Sequence, residues 1–312
     1  MLLSALLLSV LLQEAPPGFA HPPPPESEIR VDEVIDVELQ QLYVTVTRPS
    51  GDPVLGLTAA DFEVRDDGVP QTLSTFARGD IALSAVLLLD ASASMEGDRL
   101  LTAAEGTRAF ISRVLPHDEV SVMLFSDELL MRTPFSNDAS TLLAPVKGVA
   151  ARGGTAINDH LYLALKDLEG RLGRRIVVLL SDGVDVESTL GMEDVRWAAR
   201  RSQALLYWIR LEETARGRIE RSSAWRDRQG HAEQLRLLEI AVAESGGRVE
   251  VIPRVEQAGA ALQKILRELR EQYVLGYQPT RDVGEGGDGA WHRIEVRARG
   301  GVARTREGYF DR

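Results

Sequence analysis

The sequence predicts an α/β protein in which a mostly parallel sheet is covered by helices on both faces. To it is joined a small antiparallel β module built from the amino- and carboxyl-terminal segments. Three observations lead there. Ala85–Leu89 and Ile176–Leu180 are unbroken apolar runs, the pattern of strands buried on both faces. Between such runs lie segments with apolar residues at helical spacing, and strands separated by helices of that length must pair in parallel. Alternation with a period of two, which marks half-buried antiparallel strands, is concentrated near the two ends of the chain.

The amino terminus carries the run LLSALLLSVLL, too short to span a bilayer, followed by Gly18-Phe19-Ala20 with small residues where a signal peptidase cuts. Residues 1–20 therefore read as a cleaved signal peptide, which makes the protein secreted or periplasmic and leaves no transmembrane span in the mature chain. Residues 21–29 are a proline-rich linker. Residues 30–80 form the amino-terminal β module. In it Leu42, Val44 and Val46 alternate with Tyr43, Thr45 and Thr47, Thr58 and Asp61 can cap a helical turn, and Asp66-Asp67-Gly68 suits a hairpin.

Residues 81–275 follow the strand and helix grammar. After the first buried strand, Leu100, Ala104, Thr107, Ile111 and Val114 place an amphipathic helix over roughly 97–115. Val120–Phe125 is the next strand, and Glu128–Thr133 returns as a short antiparallel edge. Asp138 can cap a helix running to Val149, and a further helix over 156–169 follows Gly153-Gly154-Thr155. Strands at 176–180, 204–209 and 249–252 alternate with helices near 193–203 and 232–244, and the second of these stops at Gly246-Gly247. The charged segment 211–230 reads as a surface insertion. Ala258, Leu262, Ile265 and Leu269 define a last helix, and Tyr273–Tyr277 ends the α/β segment. Residues 276–312 form a carboxyl-terminal hairpin, turning at Gly300-Gly301, that packs on the amino-terminal module. Arg297, Arg299, Arg304 and Arg306 fall on its wet face.

Composition excludes several functions. With 312 residues, 44% of them hydrophobic, the chain has ample material for a core. A formal charge of −11 offers no basic footprint to nucleic acid. The absence of cysteine excludes disulfides, thiol nucleophiles and cysteine-based metal sites. Neither a P-loop nor a dinucleotide fingerprint accompanies Gly153-Gly154, so no small-molecule cofactor is indicated. His160, Ser92 and Asp182 superficially suggest a hydrolytic triad, but no nucleophile elbow supports it, and a packed or hydrogen-bonded histidine explains His160 better. Asp282, Glu285 and Asp288 do not follow the spacing of a calcium loop.

Ligands of an open parallel sheet collect beyond the carboxyl ends of its strands. Three loops of the required kind belong to that end: Asp90-x-Ser92-x-Ser94, Gly153-Gly154-Thr155 and Ser181-Asp182-Gly183. Each alone is an ordinary cap or turn, whereas together they assemble the carboxylate and hydroxyl oxygens that hard cations prefer.

This ordered set resembles the von Willebrand factor type A (VWA) domain, whose α/β part is Rossmann-like, and its metal-ion-dependent adhesion site. The flanking segments VTVTRPSGDPVLGLTAADFEVRDDGVPQ, YVLGYQP and WHRIEVRARGGVARTREGYF further resemble a group of exported bacterial VWA-related proteins. The resemblance implies that Ser92, Ser94 and Thr155 offer hydroxyl oxygens to a divalent cation, with Asp90 and Asp182 acting directly or through water. Magnesium suits such a site, with manganese or calcium as alternatives. It further implies a non-enzymatic, exported interaction or adhesion module whose cation accepts an Asp or Glu carboxylate from a protein partner. Another reading is an envelope scaffold whose metal only stabilises the loops. An enzyme is disfavoured because no general base or nucleophile arrangement accompanies the site.

Overall fold

The computed structural model describes residues 39–79, 81–212, 228–280 and 289–311. The signal peptide, the linker, most of the charged 211–230 segment and the acidic loop of Asp282, Glu285 and Asp288 lie outside the described residues. So does the part of the first β segment before Leu39.

The chain opens with β1 (Gln40–Thr47), β2 (Phe62–Asp66), β3 (Val69–Gln71) and β4 (Leu73–Arg78). The β2–β3 turn carries positive φ at Asp67 (49°) and Gly68 (81°), the backbone that a tight two-residue hairpin demands. Before β2, Thr58 and Asp61 form the reciprocal capping box around a 3₁₀ turn, with Thr58 N–H and Oγ1 both 2.8 Å from Asp61 Oδ2. The α/β portion follows. Its strands are β5 (Leu83–Asp90), β6 (Glu119–Phe125), β7 (Leu129–Arg132), β8 (Arg174–Ser181), β9 (Leu205–Leu211) and β10 (Val249–Ile252). Its helices are α1 (Asp98–Ile111), α2 (Ala139–Leu143), α3 (Ile157–Asp167), α4 (Met192–Ser202), α5 (Arg228–Glu244) and α6 (Ala258–Glu271). The chain ends in β11 (Tyr273–Tyr277), β12 (Trp291–Ala298), β13 (Val302–Arg304) and β14 (Gly308–Phe310).

The central sheet has the order β10-β9-β8-β5-β6-β7, parallel throughout except for the antiparallel edge strand β7. Both faces of β5 are buried, and its side chains divide by parity. Leu83, Ala85, Leu87 and Leu89 join a core beneath α1, α2 and α6, and Val86 and Leu88 join one beneath α3, α4 and α5. This two-sided burial is why the sequence runs apolar without alternation. The helix expected over 138–149 is instead the short α2, capped by Asp138, followed by a 3₁₀ turn from Pro145, which has no N–H to continue the α-helical ladder.

The terminal segments form two four-stranded antiparallel sheets, β13-β1-β11-β4 and β14-β12-β2-β3. They share one apolar core of Leu42, Val44, Val46, Val64, Leu275 and Ile294, among others. Two expectations change here. Tyr273–Tyr277, read from the sequence as the end of the α/β segment, belongs by pairing to the terminal sheets, because β11 lies between β1 and β4, antiparallel to both. The carboxyl-terminal strands do not remain a simple hairpin either. β12 pairs with β2 and β14, whereas β13 crosses to β1, leaving only an isolated bridge between Ala298 and Gly301.

Two of the four carboxyl-terminal arginines also leave the wet face. Arg306 is 8% exposed and donates to Gln203 Oε1 (2.8 Å) and Gln40 Oε1 (2.7 Å), and Arg304 donates to Glu268 and the Gly247 carbonyl. Their partners come from the α/β portion and β1, so the arginines pin the module to the helical layer. Burial pushes the Arg306 guanidinium down to about 10.

In the module core, Tyr277 and Tyr309 each donate to Asp66 Oδ2, at 3.0 and 2.7 Å, and the carboxylate is 3% exposed. Burial, with the Asp66 charge beside it, drives the Tyr277 hydroxyl well above its ordinary range, so it stays a donor. Removing one donor in Tyr309→Phe is expected to cost about 1–3 kcal/mol in urea unfolding, because a buried charge loses a hydrogen bond. The double Tyr277→Phe, Tyr309→Phe change should depart from additivity, since both hydroxyls serve one oxygen. A loss indistinguishable from zero in the single variant would show that Asp66 does not depend on these donors.

Candidate metal centre

β5 has β6 on one side and β8 on the other, so connections diverge at its carboxyl end and leave a crevice there. Asp90 is the last residue of β5 and is 1% exposed. The chain then makes a 3₁₀ turn over Ala93–Met95 and enters α1 through Gly97, at φ 76°. Within the turn the Ser92 and Ser94 hydroxyls lie 3.0 Å apart. Ser92 is fully buried and Ser94 half-buried.

Main-chain hydrogen bonds stitch the second loop to the first. Ala93 N–H donates to the Gly153 carbonyl (3.1 Å), and Arg152 N–H donates to the Ala91 carbonyl (2.9 Å). Gly153 has φ 76°, and a Cβ there would stand 2.0 Å from Asp127 Oδ1. The positive φ is what calls for glycine here, since the exposed Asp127 side chain could swing aside. Thr155 follows, completely buried, and its carbonyl accepts Val186 N–H (2.9 Å) and Glu187 N–H (3.1 Å) from the third loop.

The third loop leaves β8 at Ser181-Asp182-Gly183. Asp182 is 1% exposed and its Oδ1 accepts Val184 N–H at 3.0 Å. Gly183 sits at φ 82°, where a Cβ would meet the Trp208 ring at 2.3 Å. This loop also reaches Asp90 directly, since Ser181 Oγ donates to Asp90 Oδ2 at 2.7 Å. The structure thus gathers the loops of all five residues singled out in the sequence. Asp90, Ser92 and Ser94 share one turn, and Thr155 and Asp182 lie on the two loops bonded to it.

The other oxygen of Asp90 accepts Ser92 N–H at 2.9 Å. Both of its hydrogen-bond donors are therefore neutral, and no Lys, Arg or His pairs with this buried carboxylate among the described residues. Burying a carboxylate to 1% exposure without a counter-charge is expensive. A guanidinium stands nearby, but Arg99 Nη1 donates to the Ser94 carbonyl at 2.9 Å.

Three polar residues of this region were not singled out. In the sequence Ser181 is part of a turn, and its place beside Asp182 at a strand end is the one signal of its role. Asp185 is fully buried and caps α3 by accepting Asn158 N–H at 3.0 Å, a role that depends on the fold alone. Ser126, also fully buried, donates to Asp127 Oδ1 at 2.9 Å. His160 does not join Ser92 and Asp182. Its Nδ1–H donates to the Ala156 carbonyl at 2.6 Å and its ring stacks on Phe125 at 4.9 Å, as a packed helix histidine would.

Residues 85–184 match the family described as the von Willebrand factor type A domain. A curated relative, inter-alpha-trypsin inhibitor heavy chain H4 of Bos taurus, is 28% identical over 127 residues. That match covers 36% of this chain, and the chain spans only 13% of the relative's length. Among solved structures, the von Willebrand factor type A protein from Catenulispora acidiphila superposes with a TM-score of 0.47 at 13% identity, covering 80% of this chain and 72% of that one. The PilB minor pilin from Streptococcus sanguinis gives 0.47 at 13% identity over 62% of each chain. BatB from Bacteroides thetaiotaomicron gives 0.42 at 18% identity, over 60% of this chain and 98% of its own.

Proposed function

This chain carries a von Willebrand factor type A domain, and from that premise we propose that it is a metal-dependent protein-interaction module. The observation that carries the reading is Asp90, a buried carboxylate whose hydrogen bonds among the described residues come from neutral donors alone. The donor set around it fits a hard divalent cation: carboxylates of Asp90 and Asp182, and hydroxyls of Ser92, Ser94 and Thr155. Magnesium is the expected ion, with manganese or calcium as substitutes.

Neutral hydroxyls withdraw little of a cation's charge, so a bound ion keeps the electrophilicity to take one further oxygen. The ligand supplied there would be an Asp or Glu carboxylate of a protein partner. The chain's own residues hold the loops, exclude water from Asp90, and present the Ser92-to-Ser94 turn at the mouth of the crevice. Residues 1–20 would direct the protein across a membrane. No helix among the described residues is long and apolar enough to cross one.

A crosslinking pull-down from native envelope tests the reading. With magnesium present the module should retain a partner, and chelation should release it, with recovery on adding magnesium back. Capture that survives chelation unchanged would rule out a bridging cation and leave the metal a stabilising role only.

A further inference from the structure

The β2–β3 turn brings two adjacent carboxylates against a histidine of β12. Asp66, the last residue of β2, pairs opposite Ile294, so His292, two positions earlier on the same face of β12, is its diagonal neighbour. Asp67 follows in the turn at φ 49°. Its N–H donates to the Arg293 carbonyl and its Oδ1 accepts Arg293 N–H, both at 2.8 Å, which fixes this carboxylate beside the strand. One ligand atom each from Asp66, Asp67 and His292 lies within 4.8 Å of the other two.

The histidine separates this group from an ordinary gathering of carboxylates at a turn. Its Nδ1 lies 2.7 Å from Asp67 Oδ2, and its Nε2 lies 2.9 Å from Oδ2 of Asp311, one residue past β14. A neutral imidazole carries one N–H, so it donates to one of these carboxylates and offers its other nitrogen as a lone pair. With Nε2–H given to Asp311, Nδ1 is a ligand nitrogen facing Asp66 and Asp67. A carboxylate that holds the distal N–H in this way orients a histidine ligand and raises its basicity. Asp66 is oriented likewise, through the Tyr277 and Tyr309 hydroxyls on its Oδ2. The Asp67 side chain is 47% exposed, which leaves an entry path and lets its carboxylate turn. Bonds of about 2.0–2.1 Å set tetrahedral ligand atoms about 3.3 Å apart, a small opening of the present contact between Nδ1 and Asp67.

We propose that Asp66, Asp67 and His292 bind a zinc ion, with Asp311 as the positioning residue for His292, and that the ion clasps the β2–β3 turn to β12. Through Asp311 the clasp extends to the end of β14. An imidazole among carboxylates suits zinc, whereas the all-oxygen set around Asp90 suits magnesium, so this site is independent of the one proposed there.

Calorimetric titration of the metal-free full chain with zinc chloride tests it, in excess magnesium so that the Asp90 crevice is not open to zinc. Zinc should bind one-to-one and raise the melting temperature, and cobalt in its place should show the visible absorption bands of a tetrahedral site. His292→Gln should abolish this binding. Asp67→Asn, at an exposed side chain, and Asp311→Asn should each weaken zinc by at least about tenfold while leaving the far-ultraviolet spectrum unchanged. Asp90→Ala should leave the zinc affinity unaltered, which separates this result from the fate of the Asp90 site. The proposal is overturned if zinc does not bind one-to-one, which would leave His292 an imidazolium clamped between Asp67 and Asp311. Full affinity in Asp67→Asn, or loss of zinc binding in Asp90→Ala, would overturn it equally.

Discussion

Magnesium at a hundred times its dissociation constant should stabilise the wild-type protein by about 2.7 kcal/mol, and Asp90→Ala should abolish that response. For an α/β unit of this size the corresponding rise in melting temperature is about 5–10 °C. The variant should also gain stability in the absence of metal, because it removes a buried carboxylate that, among the described residues, Ser92 N–H and Ser181 Oγ alone support. The two effects have opposite signs. Differential scanning fluorimetry with and without chelator reads both, and a magnesium response in Asp90→Ala equal to that of the wild type would exclude Asp90 as a ligand.

Gly247→Ala should be the most damaging small substitution in the protein, with an expected loss of at least about 3 kcal/mol. Gly247 ends α5 and turns the chain into β10, with its N–H donating to the Val242 carbonyl at 3.2 Å. A Cβ there would lie 1.6 Å from the Leu206 carbonyl oxygen and 2.5 Å from its carbon. Both are backbone atoms of β9, so no side chain can swing aside, and the corner itself must open. Gly51→Ala offers a contrast, since nothing lies within 4 Å of that position and only the positive φ of 89° opposes the methyl group. Urea unfolding should separate the two clearly. Comparable small losses would mean that the β9 to β10 corner yields easily.

Most of the α/β architecture was legible because its cause is local. A strand buried on both faces has to be apolar at every position, and Val86 and Leu87 report that even though they enter different cores. That the three oxygen-bearing loops lie together was legible for a related reason, since strand ends and glycine turns announce where oxygens collect. Partnerships between distant segments were not legible. Tyr273–Tyr277 is as apolar as a central parallel strand, and only its pairing with Leu42 and Phe76 makes it antiparallel. Alternation put Arg304 and Arg306 toward water, yet Glu268 and Gln203 draw them inward from another part of the chain. The role of Ser181 is not legible either, because it donates to a carboxylate 91 residues away.

The pairing of β1 with β11 also dictates an order of assembly. From β5 to α6 most neighbouring strands are separated by one helix or one turn, the β5–β8 pair being the exception. Leu42 can meet Leu275 only after that intervening stretch has been compacted, because closing so long a loop of unfolded chain yields few contacts for its entropy cost. The expected order is that the α/β portion forms first and acts as a template, which pulse-labelling hydrogen exchange during refolding would read as earlier protection of β5 and β8 than of β1. On that order the two terminal sheets would close last, with the arms of the chain brought together at the end of α6 and joined across β1, β11 and β13.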